Sequence, residues 1–251
     1  MIDRVAVDGR PAGAGDLGLT VAGRNGHFTA MQVRGGRVRG LDLHLARLTA
    51  ATGELFGVPL DLDVVLASAR EALGDARDAS VRVYVVDRDG VHVIATAVSP
   101  HRWPGPPRAL MTAAYQRFLP HIKHLGGFPQ AYLRGRAEAG GFDEVLFTGP
   151  GGLISEAGIA NLGCFDGERI VWPDAPMLRG IAMGLLERGG LPFERRPLRA
   201  ADLAAFPLVF LSNSWGVTPV GRVDDLELKV GEDEWARLAA DYDATPWDAL
   251  G

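Results

Sequence analysis

Apolar and polar positions along this chain switch repeatedly between the two-residue period of a strand and the roughly 3.6-residue period of a helix. Residues 1–20 are short and turn-rich, with Asp8-Gly9-Arg10-Pro11 and Gly13-Ala14-Gly15-Asp16. His27-Phe28-Thr29-Ala30-Met31-Gln32-Val33 is the first clear strand, and Gly35-Gly36 before Arg37-Val38-Arg39-Gly40 predicts a hairpin. Leu41, Leu45 and Leu48 then recur at helical spacing, so a helix runs to about Phe56, and residues 62–73 predict a second. Residues 80–86 and 90–96, rich in β-branched side chains, bracket Asp87-Arg88-Asp89 as another hairpin.

His101-Arg102-Trp103-Pro104-Gly105-Pro106-Pro107 is the stiffest connector in the sequence. The domain boundary is placed there: a small N-terminal domain over 1–103, a Pro-rich linker over 104–108 and a larger domain over 109–251. Beyond the linker the pattern predicts strands at 109–113, 143–148 and 153–158. A hairpin follows over 161–165 and 169–173, then strands at 193–198 and 208–212. Helices are expected at 129–140, 181–188 and 200–206, with another from about Glu232 before a loose Trp247 segment. Leu208-Val209-Phe210-Leu211 is apolar throughout, as a strand buried on both faces would be. Strands and helices do not alternate strictly, which makes the fold class α+β.

Bulk composition narrows the function. Hydrophobic residues are 47% and charged residues 23%, enough for a packed core. A formal charge of −5 argues against nucleic acid as the main partner. No apolar run has the length of a membrane helix, the opening residues lack a signal-peptide shape, and Cys164 is the only cysteine. The expected location is the cytoplasm.

Of the 26 basic residues, 24 are Arg and two are Lys, Lys123 and Lys229. Arg cannot replace Lys where a nucleophilic amine is needed, because its guanidinium stays protonated. Lys229, in Glu227-Leu228-Lys229-Val230-Gly231, reads as a solvated strand edge. Lys123 lies in His121-Ile122-Lys123-His124-Leu125-Gly126-Gly127, between a proline and two glycines, where a side chain can be presented into a cleft. An ordinary surface lysine fits the count as well. His121 and His124 lack a third ligand, so no metal site is assigned. Arg47, three residues after His44 on the first helix, needs an anionic partner, either an intramolecular carboxylate or a ligand. Gly180 just ahead of the helix at Ile181 bares backbone N–H groups suited to a phosphate. A lysine, an acid, an Arg and a helix N-terminus are together what a pyridoxal phosphate site requires.

His44-Leu45-Ala46-Arg47-Leu48, Lys123 with Gly126-Gly127, Gly141-Phe142-Asp143-Glu144, Ile154-Ser155-Glu156 with Asn161, Leu178-Arg179-Gly180-Ile181, and Asn213-Ser214-Trp215 through Pro219-Val220 occur in one order. In that order and spacing, from about residue 26 to 222, the chain resembles the fold-type IV pyridoxal-phosphate enzymes. These are the class IV aminotransferases: branched-chain aminotransferases, D-amino-acid transaminases and aminodeoxychorismate lyases. The resemblance implies two domains with the cofactor between them, and a homodimer. It implies that Lys123 forms a Schiff base with pyridoxal phosphate and shuttles the proton. Glu156 would pair with the ring nitrogen. Arg47, the backbone of Gly180, Ile181 and Ala182, and Ser214 would hold the phosphate. Asn213, Trp215, Gly216 and Arg82 would border the substrate carboxylate.

The chain departs from the family in three places. Ala182 stands where a threonine usually follows Gly-Ile. No tyrosine stands a few residues after the lysine, where Gly127 and Phe128 lie; Tyr115 and Tyr132 are the candidates to replace it. The loop after Ser212 is about a residue short. The expected reaction is transfer of an amino group between an amino acid and a 2-oxo acid. The alternatives are aminodeoxychorismate lyase, eliminating pyruvate, and a degenerate member that only binds a partner.

Overall fold

The computed structural model describes residues 4–22, 25–103, 105 and 107–250; Pro104 and Pro106 of the proline-rich connector lie outside them. The chain forms two compact units. One comprises Met1–His101, Ile122–Gly126 and Pro246–Gly251, and the other Arg102–His121 and Gly127–Thr245. Both mix helices and sheet, as α+β patterning requires.

The first unit contains β1 (Arg4–Val7), β2 (Arg10–Pro11), α1 (Leu17–Ala22), β3 (Gly26–Val33), β4 (Arg37–Arg39), α2 (Leu41–Phe56), α3 (Leu62–Leu73), β5 (Ala79–Asp87) and β6 (Val91–Val98). Five strands form an antiparallel sheet in the order β2-β1-β6-β5-β3. One face carries Met31, Val33, Val81, Val83 and Ala95, which share a core with Leu48 of α2 and Val65 and Ala69 of α3. Asp61 starts α3 by accepting from the N–H groups of Asp63 and Val64. A glycine in the left-handed region ends α2, Gly57 at φ 69°.

Three sequence expectations change here. Within the turn-rich opening, Arg4–Val7 is a strand, paired with β6 from Arg4↔Ala97 to Val7↔Ile94. Four residues are too few for a two-residue period to stand out. The hairpin after β3 is reduced to one bridge, Arg34↔Arg37. β4 instead pairs antiparallel with Trp247–Ala249, in register Arg39↔Trp247. The Trp247 segment is therefore pinned: the Arg39 guanidinium lies 4.4 Å from the Trp247 ring centroid, and Leu250 is buried in the core. That pairing spans most of the chain, so no local signal announces it.

The second unit contains β7 (Arg108–Ala114), α4 (Phe128–Ala139), β8 (Glu144–Thr148), β9 (Ile154–Ala157), β10 (Asn161–Phe165), β11 (Ile170–Pro173), α5 (Ile181–Arg188), β12 (Phe193–Arg196), β13 (Leu208–Asn213), β14 (Gly216–Val223), β15 (Leu226–Glu227) and α6 (Glu232–Asp243). Its sheet runs β12-β11-β10-β13-β14-β7-β8-β9, with β15 paired to β14. Of its parallel pairs, β7–β8 and β11–β12 are joined by segments that include α4 and α5 respectively, while β14–β7 brings together strands far apart in sequence. All of Leu208 to Ser212 is buried, as the unbroken apolar run predicts. Gly163 lets two large rings meet: a Cβ there would lie 2.4 Å from Phe210 and 2.6 Å from Trp172, whose rings make an edge contact at 5.4 Å. No helix among the described residues is long and apolar enough to cross a membrane.

Candidate active site

Three of the residues singled out from sequence are organised by consecutive positions of β3 in the first unit. Lys123 belongs to a short segment laid along this edge strand. Its carbonyl accepts from Phe28 N–H at 2.9 Å, Leu125 N–H donates to the Gly26 carbonyl at 2.9 Å, and His124 bridges His27. The Lys123 Nζ sits 4.8 Å from the Phe28 ring centroid, and that ring stacks on Tyr84 at 5.5 Å. One residue on, the Thr29 hydroxyl accepts a hydrogen bond from the Arg47 guanidinium. One further, Ala30 faces Arg82 across the β3–β5 ladder, and Arg82 is exposed. By contrast Lys229 is an exposed residue next to β15.

The surroundings of Arg47 are unusual for a cation. Among the described residues no carboxylate pairs with it, although an intramolecular carboxylate was one of the two expected partners. Its bond goes to Thr29, and its Nε is sealed from solvent with no protein partner. Burial pushes its pKa down to about 10, and nothing shown compensates the positive charge. His44 is buried beside it, with Nδ1 2.6 Å from the Thr29 Oγ1, and His27 Nε2 lies 3.0 Å from the Thr52 Oγ1. Burial, then the charge of Arg47, hold both imidazoles neutral: His27 down at about 4, His44 well below its ordinary value.

In the second unit, Glu156 is buried on β9, and Arg117 grips it with Nε 2.8 Å from Oε1 and Nη2 3.3 Å from Oε2. Arg117 is itself only 8% exposed, so the two charges neutralise each other out of water. The role of Arg117 was not legible from sequence, because its partner stands 39 residues away. Of the two tyrosine candidates, Tyr115 is the one coupled to this pair. Burial raises its pKa, Arg117 lowers it and Glu156 raises it further, and its hydroxyl lies 3.4 Å from the Gln130 Oε1. Tyr132 is 57% exposed and stacks on Phe128.

The remaining candidates gather around the start of β10. The carboxamide of buried Asn161 accepts from Gly180 N–H at 3.0 Å and donates to the Leu178 carbonyl at 2.7 Å. This clamps the turn that opens α5. A Cβ on Gly180 would come within 2.3 Å of the Asn161 Oδ1, so the position needs glycine for space. Gly180 caps α5 with no side-chain bond, which leaves the first-turn amides of Ile181 and Ala182 for another acceptor. Asn213 ends β13, donates to the Ile159 carbonyl at 3.3 Å and accepts from Trp215 N–H at 2.7 Å. Ser214 and Trp215 form the two-residue turn between Asn213 and Gly216, whose φ is 110°. Trp103, read from sequence only as part of the connector, packs edge-on against Trp215 at 5.1 Å and donates to the Gly216 carbonyl at 3.1 Å.

The family described as amino-transferase class IV matches residues 26–223. Among solved structures, the chain is similar to the branched-chain amino acid aminotransferase of Escherichia coli, at TM-score 0.80 and 18% identity over 100% of both chains. It is also similar to a protein assigned as a 4-amino-4-deoxychorismate lyase from Legionella pneumophila, at TM-score 0.80 and 17% identity over 91% of this chain and 93% of that one. A hypothetical aminotransferase from Mycobacterium tuberculosis in its PLP-bound form gives TM-score 0.78 and 20% identity, over 96% and 98%. No curated protein matches the sequence significantly.

Proposed function

Within the class IV aminotransferases, the family to which this chain belongs, we propose that it moves an amino group between an amino acid and a 2-oxo acid, with Lys123 as the catalytic amine. The protein is an enzyme of that family, and its cofactor is pyridoxal phosphate. The side chains present suit that group: a buried carboxylate at Glu156, an Arg47 guanidinium whose Nε has no protein partner, and uncapped amides at the start of α5. Bound pyridoxal phosphate supplies an aldehyde and an electron-withdrawing ring that stabilises negative charge at the reacting carbon.

The chain's own residues divide the remaining work. Lys123 Nζ provides the nucleophile and carries the proton that must be taken from and returned to the substrate. Glu156, kept as an anion by Arg117, holds the ring nitrogen in its protonated form. Arg47, the amides of Ile181 and Ala182, and Ser214 bind the phosphate. Arg82, Asn213, Trp215 and Gly216 hold the substrate carboxylate. Ala182 adds no hydroxyl, so the phosphate depends more heavily on Arg47 and the backbone.

The observation that carries this reading is the placement of Lys123. One of only two lysines is fixed by backbone bonds to β3 beside the residue that holds Arg47. A half-reaction assay tests it. The purified protein, given amino acids singly, should release the matching 2-oxo acid and leave the cofactor in its amine form, and Lys123→Ala should abolish this. Pyruvate release from aminodeoxychorismate, with no such half-reaction, would assign the lyase instead. The proposal extends to a cytoplasmic homodimer. Phe118 and Phe128, 76% and 80% exposed, support burial against a second copy. A monomer mass by light scattering would remove that part.

A further inference from the structure

We propose that His44 is a positioning residue for Arg47, acting through Thr29, so that a one-way chain of hydrogen bonds from Arg47 to Thr29 to His44 fixes the guanidinium for anion binding. The inference rests on the reading of Arg47 as a phosphate ligand and concerns what orients it. A guanidinium has donors only, so its bond to Thr29 uses the hydroxyl as acceptor. That hydroxyl has one proton of its own, and Thr29 is fully buried, so the proton needs a protein acceptor. The group in reach is the His44 Nδ1, at 2.6 Å. His44 therefore accepts at Nδ1 and carries its proton on Nε2. An imidazolium in this place would offer N–H to an oxygen already loaded by Arg47 and strand the threonine proton.

The same two elements supply an internal control. β3 and α2 are joined by a second histidine–threonine contact of reversed polarity: His27 on the strand and Thr52 on the helix, 3.0 Å apart. It makes no hydrogen bond to Arg47. If these contacts merely hold the helix on the sheet, the two should behave alike. If His44 orients Arg47, only the Thr29–His44 contact should affect anion binding.

The test compares affinities for pyridoxal phosphate and for pyridoxal, which lacks the phosphate, alongside thermal stability. His44→Asn keeps an acceptor near the Nδ1 position, and His44→Phe keeps the ring but no acceptor. Thr29→Ser keeps the hydroxyl, and Thr29→Val removes it. Expected is a loss of about tenfold or more in pyridoxal phosphate affinity for His44→Phe and Thr29→Val, the scale of one charged-group hydrogen bond. Pyridoxal affinity should be unchanged, and His44→Asn and Thr29→Ser should restore most of the loss. His27→Phe should lower stability without altering the ratio of the two affinities. Equal loss for both ligands, no rescue, or the same ratio change in His27→Phe would overturn the inference. Arg47→Met separates it from the reading beneath it. If that variant binds pyridoxal phosphate as wild type does, the phosphate role of Arg47 fails. If it weakens binding while His44→Phe does not, only the positioning role fails.

Discussion

The two units bury polar groups in opposite ways. The first seals β3 against α2 with neutral groups, through Thr29–His44 and His27–Thr52, and sets Arg47 beside them with a hydroxyl rather than a carboxylate as its partner. The second pairs three buried carboxylates with Arg: Arg117 on Glu156, Arg134 on Glu144, and Arg179 and Arg195 on Glu187. Arg47, whose bond goes to a hydroxyl, keeps a charge that no carboxylate among the described residues answers. The difference supports the proposed reading of Arg47 as a ligand for an anion.

Opposite chemistry implies opposite responses to perturbation. The largest effect should come from Arg117→Met, which leaves Glu156 charged, buried and without this partner, at a cost of about 3–5 kcal/mol in denaturant unfolding. A wild-type-like midpoint would mean that the pair is not buried in solution.

Next comes pH. Burial raises Glu144 to about 7, against the favourable pull of Arg134. A carboxyl with a raised pKa binds its proton more tightly when folded, so this contribution is present at low pH and is lost as pH rises from about 4.5 to about 7. The scale is about 3 kcal/mol at most. Glu144→Gln should flatten that slope. His27 and His44 act in the other direction. Their folded pKa values are depressed, so stability present above about 6.5 is lost as pH falls toward about 4. The two windows overlap, so the trends are separated by variant: with the Glu144 contribution removed, Glu144→Gln should lose stability more steeply than wild type as pH falls from about 6.5 toward about 4, and an unchanged pH profile would contradict the contrast. Thr29→Val should cost a smaller amount, about 1–3 kcal/mol, because it strands the donors and acceptors of its neighbours. Smallest of all, Lys229→Ala should change stability by less than about 0.5 kcal/mol and leave activity intact.

Much of this was legible in the chain, and the division has a physical basis. α3 (Leu62–Leu73) and α5 (Ile181–Arg188) fall where the helical period placed them, because apolar spacing and a terminal glycine are local signals. Arg47 beside His44, and Lys123 among 24 arginines, could be singled out by residue type alone. The pairing of β4 with Trp247–Ala249, the grip of Arg117 on Glu156, and Trp103 against Trp215 could not. Each depends on contacts between residues far apart in sequence, for which periodicity carries no information. Tyr115 lies between these cases: it was one of two candidates, and only its coupling to Arg117 and Glu156 distinguishes it from exposed Tyr132.

The most direct test of the central claim is chemical labelling of the lysine. Purified protein is saturated with pyridoxal phosphate, its visible absorbance recorded, the complex reduced with borohydride and the peptides mapped. The account predicts a visible band that vanishes on reduction and a single pyridoxyl-labelled peptide containing Lys123. No band, or a label on Lys229, would contradict it.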